Sequence, residues 1–310
     1  MSFTLVDDLT HAVAGVAHVE KPYQEGQLHI RKLEVFRQPA EQTCTEAKAK
    51  LKMWQTERNG LDRWTLQWFL YWCICEIESE KKRCDKGIEK AQALVDEAQI
   101  KLDEENEKIR QAESQNEKYA VDHRSLVKYR EELTELLDGL FKEMEKEEGD
   151  AVKAAKEQME AAKARLDQSK EDAEKLDKVR ELLDKADKSM IEAIVELRES
   201  NDKKSVPEGQ VFFPQEAYKA IKEARELYPA LPGIPQPVIY DKKPDETGAF
   251  YSPMQKYLWD IRHGLSDIRK WCDVEALALM DKEHEAIIEL GTKTDAWNMA
   301  RRDLVKQQQA

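Results

Sequence analysis

The chain has 310 residues, 41% hydrophobic and 36% charged, with a net charge of −13. That charge disfavours nucleic acid, whose phosphates would be repelled. The seven tryptophans argue against a disordered chain, because such chains are poor in aromatics. So high a charged fraction suits thin helical structures in which much of every helix faces water. The acidic excess is concentrated: nine of the negative charges fall within residues 101–200. No stretch forms a basic patch.

Residues 1–40 read as an N-terminal amphipathic helix followed by a loop. Leu5, Leu9, Val13 and Val16 share one side of residues 2–18, with Ser2 or Thr4 as a cap. No Lys or Arg precedes Lys21, so attraction to anionic lipid is missing and the helix is expected to tuck against the protein. The first residues lack a basic n-region and a long apolar run, so no secretory leader is expected there. Pro39 is expected to end a loop over 19–40, with the first long helix beginning near Glu41 and broken at Gly60. No proline occurs between Pro39 and Pro207, the condition for very long helices, since proline lacks the N–H donor and clashes with the preceding turn.

Residues 41–100 are expected to form the first half of a Trp-rich helical base. Trp64, Trp68 and Trp72 stand four apart and stack along one helical face, as candidate base core. The apolar cluster from Trp68 to Cys75 is too short to cross a bilayer. From Ile74 onwards a single heptad register runs for seventy residues. One seam holds Ile88, Val95, Leu102, Ile109, Leu137 and Met144; the other holds Ala91, Ala98, Ala112, Leu126, Leu133 and Leu140. The 3–4 spacing never slips, which predicts one continuous helix. Asn116, His123 and Arg130 interrupt the seam with polar groups, as register-fixing residues do.

Gly149-Asp150 reads as a helix stop and start, because glycine takes the left-handed C′ position cheaply and aspartate caps well. A second register follows, with Val152, Met159, Leu166 and Ile194 on one seam and Ala162, Ser169, Leu176, Leu183 and Met190 on the other. The expected fold is all-α: an elongated bundle base carrying an antiparallel coiled-coil stalk over 101–200, with its tip at Gly149 and Asp150. Residues 152–197 would pair with roughly 102–147. Leu126, Leu133, Leu137, Leu140, Met144, Met159 and Leu166 are then the candidate interaction seam.

Residues 201–252 are a proline-rich, ordered connector, with a short helix over Gln215–Leu227 between Pro214 and Pro229. Residues 253–310 resume helical spacing at Leu258, Ile261, Leu265, Ile268, Cys272 and Leu279. Gly291 is expected to end that helix and Thr292 or Thr294 to cap a last one. This block is expected to pack on residues 61–100.

No motif carries chemistry. Phosphate-binding glycine loops and nucleophile elbows are missing. Cys73-x-Cys75 with Cys84 lacks a second pair at zinc spacing. Asp260/His263 and Asp281/His284 each share a helix face, as in di-iron bundles, but both lie on one helix about 31 Å apart. Solvated Asp–His pairs are the plainer reading. His123 in a seam suggests a pH-sensitive zipper or a tolerated imidazole. No catalytic residue, cofactor or metal is therefore expected. The five cysteines suit reduced, buried thiols and a cytoplasmic location.

The expected function is a non-enzymatic structural or scaffold protein that self-associates or spaces a helical protein partner. A membrane-shaping helical dimer is the alternative: the long helical segments resemble BAR domains in outline, with no motif and no basic face behind the likeness. An enzyme with a site in the Trp-rich base is the third reading.

Overall fold

A computed structural model of the chain describes residues 3–62, 77–144, 149–199, 214–233 and 253–309. Every element in them is helical, so the all-α class holds: α1 (Phe3–Val16), α2 (Glu20–Gly60), α3 (Ile77–Met144), α4 (Asp150–Glu199), α5 (Gln215–Leu227) and α6 (Pro253–Gln309). The chain forms two compact units, residues 1–143 and 144–310.

In the N-terminal unit a 3₁₀ turn, Ala17–Val19, joins α1 to α2. The sequence explains it. Val13, Val16 and Val19 are spaced three and three, too tight for an α-helix of 3.6 residues per turn. A 3₁₀ turn holds three residues, so it keeps all three valines on one side. Val13 and Val19 are buried as a result.

α2 corrects the expectation of a loop over 19–40 and a helix start near Glu41. It is helical for 41 residues with Pro39 inside it. Pro22 sits in its first turn, where an N–H is not needed. At Pro39 the helix runs on despite the missing donor, and Thr43 Oγ1 donates to the Pro39 carbonyl at 2.8 Å. What holds it is packing on both sides of the proline, through Ile30 and Cys44. A 3–4 repeat runs through the proline: Tyr23, Gly26, Ile30, Leu33, Arg37, Ala40, Cys44, Ala47, Leu51, Trp54, Arg58 and Leu61, and none of these is exposed. Gly60 does end α2. The amides of Leu61 and Asp62 fold back on the carbonyls of Arg58 and Asn59 at 3.1 and 3.3 Å.

α3 is one helix of 68 residues, as its unbroken register predicted. Val95, Ala98, Ile109, Ala112, Leu126, Leu133 and Leu137 are buried. Its partner is the N-terminal segment running antiparallel. Val6 and Val13 of α1 cluster with Leu126, Leu133 and Leu137. Ile30 of α2 meets Ile109 and Ala112. Nearer the turn, Arg58 Nε donates to Asp85 at 2.8 Å and Arg83 reaches Glu57 at 2.6 Å. Large residues face small ones: a Cβ at Gly87 would lie 2.6 Å from the Trp54 ring.

In the C-terminal unit Gly149 occupies the N-cap of α4, its carbonyl accepting from Val152 and Lys153 at 2.9 and 3.1 Å. Asp150 is therefore a first-turn residue rather than the cap expected, where its charge favours the helix N-terminus. α4 runs antiparallel to α6, and α5 lies on α4. Leu176, Val179, Leu183, Ala186, Met190 and Ile194 form one core with Ala217, Ile221 and Ala224 of α5 and with Leu258, Leu265 and Cys272 of α6. Where α5 adds a third helix, the buried stripe of α4 shifts to include Val179 and Ala186. The neighbouring seam positions Arg180 and Asp187 turn to the flank. There Arg180 pairs with Asp273, and Asp187 accepts from Arg262 at 2.9 Å.

α5 spans Gln215–Leu227, the bounds predicted from its flanking prolines. α6, in contrast, does not end at Gly291. It continues for 57 residues, with Thr292 and Thr294 bonding back to the Ile288 and Leu290 carbonyls at 2.9 and 2.8 Å instead of capping a new helix. Its buried face is covered by α4 and α5; residues 63–76, within the stretch expected to meet it, lie outside the described residues. Within its own unit α3 is buried by α1 and α2, and α4 by α5 and α6.

If Pro39 lies in continuous helix, Pro39→Ala should stabilise the N-terminal unit. The gain is roughly 2 kcal/mol: about 3 kcal/mol of interior penalty removed, less about 1 kcal/mol because alanine frees the unfolded chain. Urea unfolding checks it, and an unchanged midpoint would mean the helix is interrupted there.

Candidate functional site

The seam of the N-terminal unit carries a run of facing polar side chains. α2 contributes Glu20, Tyr23, Gln24 and Gly26; α3 contributes Asn116, His123 and Arg130. Seam positions 3–4 apart bring these side chains face to face, because the two helices run antiparallel in a fixed register.

At one end, Arg130 makes a two-pronged pair with Glu20, at 2.5 and 2.6 Å. Both side chains are nearly buried, at 11% and 12% exposure. One heptad back along α3, the His123 ring stacks on Tyr23 with centroids 4.0 Å apart and planes at 20°. The Gln24 amide donates to His123 Nε2 at 3.3 Å, so that nitrogen is the acceptor and the ring is neutral. Burial pushes the His123 pKa down; Glu20 opposes this and Arg130 adds to it. A further heptad back, Asn116 presses against Gly26: a Cβ there would meet Asn116 Oδ1 at 2.2 Å and Cγ at 2.5 Å. Asn116 is 4% exposed, and neither amide atom has a hydrogen-bond partner. It lines a cavity of about 470 Å³ with Tyr23, Gln27 and Ile30.

This layer orients and aligns; it holds no nucleophile beside a base. Sequence reasoning found Asn116, His123 and Arg130 as seam polar residues but not Glu20, Gln24 or Gly26. A polar seam residue demands a partner on the facing helix, and the facing helix had been misassigned.

The other sites expected from sequence fare as follows. Leu126, Leu133 and Leu137 are buried against α1, so they serve as core. Leu140 lines a groove between α1 and α3, and Met144 closes α3. Met159 is half-buried and Leu166 buried on α4. Gly149 and Asp150 start a helix. Trp64, Trp68, Trp72, Cys73 and Cys75 lie outside the described residues. Cys44, Cys84 and Cys272 are unbridged and buried.

Asp260, His263, Asp281 and His284 all lie on α6, and no group of three or more His, Cys, Asp or Glu side chains converges among the described residues. His263 leans on Trp259, whose ring also carries the Arg262 guanidinium at 4.9 Å. Burial and a 3.0 Å hydrogen bond to Glu275 push the Tyr228 phenol up to about 12. Burial likewise raises the Cys272 thiol to about 11, which makes it inert rather than nucleophilic. No described helix is long and apolar enough to cross a membrane.

No family model, curated protein or solved structure matches this chain.

Two outcomes follow from the polar layer. Gly26→Ala should cost about 1–3 kcal/mol by overpacking against Asn116, and adding Asn116→Ala should recover most of it; additive losses in urea unfolding would separate the two residues. His123 has its folded pKa below the unfolded value of about 6.5. It therefore contributes stability that is complete above that pH and lost as pH falls below it. His123→Phe keeps the stack and cannot charge, so its stability relative to the parent should rise between about pH 7 and pH 5. Parallel pH profiles would sink the assignment.

Proposed function

We propose that this protein is a cytoplasmic, non-enzymatic scaffold whose paired long helices self-associate or hold a helical protein partner. The observation that carries the reading is where the apolar residues go. Among the described residues the buried apolar side chains lie in helix–helix seams, while the outer faces carry charge pairs such as Arg165–Glu289 and Lys101–Glu97 beside exposed apolar groups such as Phe36, Ile100 and Val121. Such faces suit contact with other proteins or solvent. The polar groups that do converge, in the Asn116–His123–Arg130 layer, bond one helix to another across the seam, which is the work of register. Three buried, unbridged cysteines suit a reducing compartment.

The membrane-binding alternative has less support. The apolar face of α1 that would enter a bilayer is packed on α3 through Val6 and Val13, and α1 carries no Lys or Arg. For the enzyme alternative, the cavity of about 580 Å³ between α4 and α6 brings Ser169 near Asp172, Lys282 and Glu285, but the buried Ser169 hydroxyl bonds to none of them.

The scaffold reading expects the purified chain to associate as its concentration rises in sedimentation velocity, or to cross-link in cell extract to a protein in fixed stoichiometry. A chain that stays monomeric throughout and cross-links to nothing would sink it.

A further inference from the structure

We infer that the groove between α1 and α3 docks a basic amphipathic helix from a partner protein. The inference rests on the scaffold reading and names the partner's chemistry. The groove has a volume of about 480 Å³ and a floor of Leu5, Leu9, Leu136, Leu140 and Gly139. Leu5 remains 46% exposed although Val6 beside it is fully buried. Leu9, Leu136 and Leu140 are half-buried against the α1–α3 core, so the pair covers this apolar floor only in part.

Gly139 lies in the floor of the groove. A glycine inside a helix costs about 1 kcal/mol relative to alanine. Gly26 and Gly87 have an internal reason for it: Asn116 and Trp54 leave no room for a Cβ. At Gly139, as at Gly15 of α1, a Cβ would meet nothing within 4 Å. The α3 backbone is therefore open at the groove floor, where a neighbour can approach closely.

The groove lies between two antiparallel helices, so a third helix fits its length, leucine-type side chains at i, i+3, i+4 and i+7 filling the floor. Charge selects which helix. From Glu131 to Phe141, α3 carries Glu131, Glu132, Glu135 and Asp138 and no basic residue; α1 carries Asp7 and Asp8 and no Lys or Arg. Glu132 and Glu135 line the groove itself. Arg130, committed to Glu20, and Lys142 flank this stretch, and Lys128 sits 3.6 Å from Glu132, an exposed pair worth little. A second copy would bring the same acidic rim, and an anionic bilayer would be repelled. A helix with Lys or Arg flanking its apolar stripe meets both requirements.

The test uses the full chain and a fluorescent helical peptide of roughly 20 residues, long enough to hold helix, with leucine on one face and lysine elsewhere. A leucine/glutamate peptide of the same pattern is the control. Fluorescence anisotropy should show saturable binding of the lysine peptide only. Gly139→Trp should weaken it by at least about tenfold with helical content intact, since the site is open. Glu132→Lys with Glu135→Lys should weaken the lysine peptide and admit the glutamate one. The inference is overturned if the lysine peptide does not bind, or if it binds Gly139→Trp equally well. It is also overturned if Gly139→Trp instead abolishes dimerisation or adsorption to phosphatidylserine vesicles, which would give the groove to a second copy or to lipid. In every such case a persisting oligomer or cross-linked complex leaves the scaffold reading standing.

Discussion

A helix of forty to seventy residues cannot bury its own apolar stripe, and everything else in this molecule follows from that constraint. Each long helix needs an antiparallel partner of comparable length. In the N-terminal unit, α1 and α2 together run alongside α3; in the C-terminal unit, α6 runs alongside α4. The apolar content suffices for about one stripe per helix, and the charged remainder makes the outer faces. The 3₁₀ turn at Ala17–Val19 and the helix carried through Pro39 are local concessions to that need: backbone regularity yields so that the stripe stays in contact.

Pairing long helices raises a second problem, that of alignment. Heptad seams of leucine and alanine can slide by seven residues at small cost, and polar residues in the seam penalise the slip. Here the Arg130–Glu20 pair, the His123–Tyr23 stack and the Asn116–Gly26 contact recur one heptad apart along α3, and each fits one register only. A slipped alignment would leave Arg130 and Glu20 buried without each other, and breaking such a pair costs about 3–5 kcal/mol. Trp54 over Gly87 pins the same alignment sterically towards the other end. Asn116 stands apart, with both amide atoms unpartnered. Its value lies in shape against Gly26, and its unmet hydrogen bonds are a cost that the alignment has to justify.

Much of this was legible in the sequence. The unbroken spacing from Ile77 to Met144 gives α3, Gly149 gives the start of α4, and two prolines bound α5. Three features were obscured, each for a physical reason. Pro39 reads as a terminator because proline interiors are costly, yet the 3–4 repeat from Tyr23 to Leu61 passes through it; small and polar members such as Gly26, Arg37 and Ala47 dilute that repeat. Gly291 reads as a stop, but a buried glycine inside a well-packed helix need not end it. The pairing was the largest miss. A heptad specifies that a seam must be covered and is silent on which helix covers it. Folding back at Gly149 was the nearest solution in sequence. The size complementarity of Trp54 with Gly87 and of Asn116 with Gly26 decides for α2, and it becomes visible only once both helices are placed.

The candidate site was legible to the same degree. Asn116, His123 and Arg130 stand out as polar breaks in an apolar seam whatever their partner. Glu20 and Gln24 carry no such mark, since they lie one step off the α2 repeat and reach across only because Arg130 and His123 face them. The seams that sequence offered as partner surfaces are consumed within the chain: Leu126, Leu133 and Leu137 touch α1, and Leu166 is buried on α4. What remains open for recognition is therefore the residue left over when two stripes of unequal width are paired. On α1 and α3 that surplus is the exposed Leu5, with Leu9, Leu136 and Leu140 half-buried beside it and Glu132 and Glu135 lining the same groove. A chain that uses its regular seam for its own folding must recognise others through such irregular leftovers, where composition is least periodic and sequence patterns say least.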